Sequence, residues 1–106
     1  MNNYFVVGNA VSTSLSPMIF NYWFKKYKIK ASYGYIEIKN KNFTKEIIEV
    51  INNKETKGLN ITIPYKKQII KHTHILDKHS KKINAVNCIL IGKKIKGINT
   101  EWLGYF

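Results

Sequence analysis

Hydrophobic and polar positions change rhythm several times along this chain, and each change marks an element. Tyr4-Phe5-Val6-Val7 is a short apolar run closed by Gly8, the pattern of a buried first strand. Asn9 to Leu15 is a polar loop. Ser16-Pro17 predicts a helix start, serine as N-cap and proline in the first helical position, with Met18, Ile19, Tyr22, Trp23 and Tyr27 following at helical spacing. Phe20, Trp23, Phe24 and Tyr27 follow the same stripe and are expected in the core. Tyr33 to Ile38 alternates as a second strand, and Phe43, Ile47, Val50 and Ile51 form one face of a second helix that Asn52-Asn53-Lys54 ends.

The stretch Gly58-Leu59-Asn60-Ile61-Thr62-Ile63-Pro64-Tyr65-Lys66 organises the rest. Leu59, Ile61 and Ile63 alternate with Asn60 and Thr62, so an extended run puts the two polar side chains on one face. Pro64 offers no N–H to a sheet and suits the first turn of a helix, predicted from about Tyr65 through Ile69 and Ile70 toward His72. Lys66 would then sit at a helix N-terminus, where the dipole opposes an ammonium, which points to chemistry and not to helix support. A short helical piece follows over Asp77 to Ile83. Ala85 to Ile91 and Lys94 to Ile98 flank Gly92-Lys93 as two strands with a tight turn, and Asn99-Thr100-Glu101 caps another helix from Trp102. The order predicts an α/β fold: a three-layer sandwich with a mostly parallel sheet and a late antiparallel hairpin, residues 1–106 forming one domain.

With 106 residues and 44% hydrophobic content, the chain can bury one modest core. No apolar run reaches membrane-spanning length and Met1-Asn2-Asn3-Tyr4 lacks the order of a secretory signal, so no membrane partner and a cytoplasmic location are expected. Cys88 is the single cysteine and is expected to be a buried structural thiol. The formal charge of +12 asks for an acidic partner. All eighteen basic residues are lysine, spread along the chain without the arginine that phosphate and guanine contacts favour, so no nucleic-acid partner is expected.

Candidate chemistry is concentrated in two loops and a lysine. Ser14 and Ser16 present hydroxyls at a helix N-terminus, a site for a carboxylate or phosphate; the plainer alternative is that they only turn and cap the chain. His72, His74 and His79 lack the spacing and the carboxylate of a zinc set, so no metal is expected. No G-x-G-x-x-G occurs, so no dinucleotide-binding residues are expected in this chain.

Gly8-Asn9-Ala10-Val11-Ser12-Thr13-Ser14-Leu15-Ser16-Pro17, then Gly58 to Lys66, then Ala85-Val86-Asn87, then Gly97-Ile98-Asn99-Thr100-Glu101 with Gly104, resemble in order and spacing the N-terminal substrate-binding domain of shikimate dehydrogenase. The resemblance implies reversible NADP-dependent reduction of 3-dehydroshikimate to shikimate, on the route to aromatic amino acids through chorismate. By matching position, Ser14 and Ser16 would hold the substrate carboxylate, and Asn60, Thr62, Asn87 and Glu101 would contact the ring hydroxyls. Lys66 would be the catalytic group, passing a proton to and from the reacting oxygen, with Glu101 beside it. NADP would be bound by a Rossmann domain absent from this chain. A free-standing, non-redox module for shikimate, quinate or a similar cyclic hydroxy acid is the alternative. The sequence departs from the family pattern at Glu101, where aspartate is usual, at Asn84, where glycine is usual, and at Cys88, where threonine is usual. Asparagine tolerates the left-handed conformation, so Asn84 is expected to preserve its turn.

Overall fold

The computed structural model describes residues 2–101. Six strands form one sheet: β1 (Asn2–Gly8), β2 (Ala31–Glu37), β3 (Thr56–Ile61), β4 (Ile75–Leu76), β5 (Cys88–Ile91) and β6 (Ile95–Ile98). Their order across the sheet is β2-β1-β3-β5-β6-β4. β1 pairs in parallel with β2 and β3, and β4 with β6, whereas β5 runs antiparallel to both its neighbours. Only β5 therefore points against the rest, and the β5–β6 hairpin is the predicted late antiparallel feature. Three α-helices accompany the sheet: α1 (Ser16–Lys26), α2 (Phe43–Asn52) and α3 (Lys78–Ile83). None of the described helices is long and apolar enough to cross a membrane.

Alternation along β1 builds the layers. Phe5 and Val7 face a core of Ile38, Phe43, Ile47, Ile51, Leu59, Ile61, Tyr65, Ile69, Val86 and Ile89, under α2. Tyr4 and Val6 face the opposite side, where Val11, Tyr33, Phe20 and Phe24 gather under α1. The sheet thus lies between two helical layers, as the strand and helix alternation predicts. Tyr65 anchors the larger core: it is fully buried, its ring stacks on Phe43 at 4.2 Å between centroids, and its hydroxyl donates to the Ile38 carbonyl.

The first strand and the second helix fall where the pattern places them, and the hairpin does so with its first strand starting at Cys88 and not Ala85; four further expectations need correction. β3 begins at Thr56 and ends at Ile61, before Thr62 and Ile63. No α-helix starts at Tyr65. The Ile63–Pro64 peptide is cis, and Tyr65 N–H donates to the Thr62 carbonyl at 2.9 Å, closing a turn with proline third. Only a 3-10 segment, Gln68–His72, follows. α1 contributes no buried residue, and Met18, Tyr22, Trp23 and Tyr27 are exposed, because apolar side chains surround this helix and only Phe20 and Phe24 can turn toward the sheet. Cys88 is only partly buried. The two-residue strand β4 was not predicted at all, being too short to set a period. The helix predicted from Trp102, with Gly104, lies outside the described residues.

Candidate functional site

Parallel strands deliver their carboxyl ends to one edge of a sheet, and ligands in α/β folds bind outside that edge. Here β1 and β3 end side by side. Thr62 N–H and Thr62 Oγ1 both donate to the Val7 carbonyl at 2.9 Å, which holds the two exits together. Gly8 is needed at this join: a Cβ there would lie 2.0 Å from Thr62 Oγ1 and 2.7 Å from Val11 Cγ1. Because the Thr62 hydroxyl spends its proton on Val7, its remaining capacity toward a ligand is that of an acceptor.

The exit of β1 leads through 9–15 into α1. Ser16 is the first helical residue and not the cap; Leu15 holds the N-cap position in a helical conformation with no side-chain cap. Ser14 takes the capping task from one step outside, its Oγ accepting the Ser16 N–H at 3.2 Å. That bond, together with the missing N–H of Pro17, removes backbone donors from the first turn. The hydroxyls of Ser14 and Ser16 line the cleft beside that turn. Glu37, at the end of β2, braces the loop from below, accepting N–H groups from Val11 at 3.1 Å and Ser12 at 2.8 Å. Ser12, by its backbone and then its hydroxyl, holds this carboxyl below its ordinary value against the opposing effect of burial, with smaller help from Val11 and Lys39.

Asn60 projects from β3 onto the α1 side, and its Oδ1 accepts the phenolic hydrogen of Tyr33. Burial pushes the Tyr33 hydroxyl up to about 12, Cys88 adds to the rise, and the Ser16 hydroxyl pulls against it. Lys66 leaves the proline turn, its backbone fixed where its carbonyl accepts Val86 N–H at 2.8 Å. The expected helix N-terminus around it does not exist, so the dipole argument for this lysine falls and its placement rests on its contacts. Its ammonium makes an ion pair with Glu101, the two side chains 30% and 32% exposed. The longer glutamate side chain thus still reaches the lysine.

A polar latch carries Glu101 to that point. Asn87 and Thr100 bond reciprocally: Asn87 Nδ2 donates to Thr100 Oγ1 at 3.0 Å, and Thr100 N–H donates to Asn87 Oδ1 at 3.1 Å. Buried Asn99 donates from Nδ2 to the Ala85 carbonyl at 3.1 Å and accepts Glu101 N–H at 2.9 Å. Asp77 caps α3 through Ser80 N–H at 2.9 Å and also accepts Asn99 N–H at 3.4 Å. Burial would raise that carboxyl, but hydrogen bonds from Ser80 and Asn99 outweigh it and hold it below its ordinary value. Asn84 closes α3 in the left-handed conformation, φ 55°, as its chemistry allows.

These segments enclose one cleft of about 580 Å³. Ser14, Ser16, Asn60, Thr62, Lys66, Asn87 and Glu101 all line it, joined by Val11, Thr13, Phe20 and Ile63. All seven residues singled out from the sequence are brought together, on one side of the sheet. Sequence reasoning passed over Tyr33 and Glu37. Tyr33 reads there as one more strand aromatic and Glu37 as a solvated strand end, because their partners are 27 and 25 residues away. Among the described residues no group of three potential ligands could hold a metal.

A profile described as shikimate dehydrogenase substrate binding domain matches residues 6–89. The chain is 39% identical over 106 residues to a shikimate dehydrogenase (NADP(+)) of Clostridium beijerinckii, covering 99% of this chain and 39% of that protein. Its fold superposes on the crystal structure of shikimate dehydrogenase from Aquifex aeolicus with a TM-score of 0.90, at 31% identity over 99% of this chain and 40% of that one. The Thermus thermophilus enzyme, solved in complex with shikimate, gives 0.89 at 25% identity, over 99% of this chain and 40% of that one. The chain spans about two fifths of the length of the relatives it matches. By the profile match and by a fold shared almost from end to end, this chain belongs to the shikimate dehydrogenase substrate-binding domain family.

Proposed function

We propose that this chain binds shikimate and 3-dehydroshikimate and supplies the proton-transfer half of their NADP-dependent interconversion. One observation carries the reading: residues from five separated stretches, Ser14 and Ser16, Asn60 to Thr62, Lys66, Asn87 and Glu101, converge on a single cleft with hydroxyls at one part and an ion pair at another. Ser14 and Ser16 would hold the ligand carboxylate, since Ser14 Oγ accepts from Ser16 N–H and keeps its own proton for an anion. Asn60, Thr62, Asn87 and Glu101 would meet the ring hydroxyls; Asn87 retains one N–H after its bond to Thr100.

Reduction of a ketone builds negative charge on its oxygen, and an ammonium nearby lowers that barrier. Lys66 would give that oxygen a proton and take one back from the alcohol in reverse, with Glu101 fixing the amine. The described residues do not fit the dinucleotide itself. The turn after β1, where a pyrophosphate would need open backbone, is packed against Thr62 at Gly8. NADP is accordingly assigned to a domain other than this one, corresponding to the part of the relatives that this chain does not cover.

Titrating the chain with shikimate in a calorimeter, with and without NADP, while following nicotinamide absorbance, tests the reading. Heat with shikimate and unchanged absorbance is expected for a substrate domain acting apart from its cofactor domain. The same outcome with NADP supplied on a joined cofactor domain would favour the non-redox module. Absence of heat would remove the substrate assignment. In a polypeptide that turns over, Lys66→Met is expected to lower the rate by about 10²–10⁴-fold.

A further inference from the structure

Tyr33 is not among the residues that line the cleft, yet it is held on both its backbone and its ring. Its backbone is clamped by one amide of α1: Asn21 Nδ2 donates to the Tyr33 carbonyl at 2.7 Å and Asn21 Oδ1 accepts Tyr33 N–H at 2.9 Å. Its ring stacks on Phe20 with centroids 4.8 Å apart and planes 16° from parallel. Only 6% of the residue is exposed. So constrained, the phenol donates to Asn60 Oδ1.

An asparagine amide can face a ligand with either its acceptor or its donors, and the two ends have nearly the same shape. Whichever end is engaged from behind, the other is offered in front. We propose, resting on the shikimate reading above, that Tyr33 is a positioning residue that fixes the Asn60 amide with its carbonyl turned away and its Nδ2 presented to the ligand. Thr62, whose hydroxyl proton goes to Val7, stands two residues on as an acceptor. A donor and an acceptor side by side suit an alcohol, which can accept from Asn60 and donate to Thr62 at once. An ether or a halogen at that ring position can satisfy only one of them. The high pKa of the phenol means that it keeps its proton, and therefore its grip on Asn60, throughout the neutral range.

The experiment is a double-mutant cycle on shikimate binding, read by calorimetry on the wild-type chain, Tyr33→Phe, Asn60→Ala and the double variant. Tyr33→Phe keeps the ring and its stacking while freeing the amide, and is expected to weaken shikimate roughly fivefold to tenfold. In the Asn60→Ala background the same change is expected to cost less than half as much on a logarithmic scale, because the contact to Asn60 is then already gone and only the one to the Ser16 hydroxyl is left to lose. A merely structural tyrosine would give losses that multiply, with a lowered melting temperature. Wild-type affinity in Tyr33→Phe, or losses that multiply across the cycle, would overturn the positioning role while leaving the substrate assignment standing. A wild-type chain that takes up no shikimate would overturn both.

Discussion

Gly8 marks the place where residue identity is least negotiable. The β1 backbone comes so close to Thr62 that a methyl group would sit 2.0 Å from the hydroxyl oxygen, the same oxygen that is held on the Val7 carbonyl. Gly8→Ala is expected to destabilise the fold by about 1–3 kcal/mol, the usual penalty for overpacking, and to weaken shikimate binding through Thr62. Denaturant titration beside calorimetry checks both, and an unchanged midpoint would show that the join relaxes freely. Asn84 is the converse case. Its left-handed backbone, φ 55°, is one that asparagine adopts at little cost, so the departure from the family's usual glycine leaves the turn intact.

At the scale of elements, the loop between β1 and α1 is tied to the sheet by Glu37 as well as closed by its own turns, Ser14 N–H on the Val11 carbonyl and Ser16 N–H on Ser14 Oγ. Two backbone N–H groups, from Val11 and Ser12, converge on one carboxylate oxygen at the end of β2. Glu37→Ala should speed amide exchange at Val11 and Ser12 and weaken shikimate binding, whereas Glu37→Gln, which keeps an acceptor, should restore much of both; equal exchange in wild type and Glu37→Ala would discard the brace. The elements themselves were legible where a period runs long enough. Phe43, Ile47 and Ile51 are buried on one face of α2 as their spacing predicts, and Tyr4 to Val7 is a strand. The period misled at α1, whose apolar residues lie on too many sides for one sheet to cover. It also misled after Pro64, because proline closes a turn as readily as it opens a helix. The site was legible in greater part than the elements that carry it: Ser14, Ser16, Asn60, Thr62, Lys66, Asn87 and Glu101 share a cleft. Glu37 and Tyr33 act from behind through long-range partners that no local pattern reveals.

For the molecule as a whole, the charge of +12 bears on binding and a histidine bears on stability. A positive field draws an anionic acid toward the cleft, but it also repels itself, so any further buried charge is unwelcome. His72 sits at the end of the 3-10 segment with its ring edge-on to Phe43 at 6.1 Å. Its Nε2 is buried without a hydrogen-bond partner among the described residues. Burial first, and the neighbouring Lys71 second, lower its pKa from the ordinary 6.5, because protonation would put a cation against the core. The unfolded chain then binds a proton that the folded chain refuses. The His72 contribution to stability is therefore complete above pH 6.5 and is lost as pH falls through the lowered folded value. Melting temperatures measured between pH 7 and about 5 should decline in the wild type and decline less in His72→Phe, which keeps an aromatic edge against Phe43 and has no proton to gain. Parallel slopes in the two proteins would show that His72 does not carry the acid sensitivity.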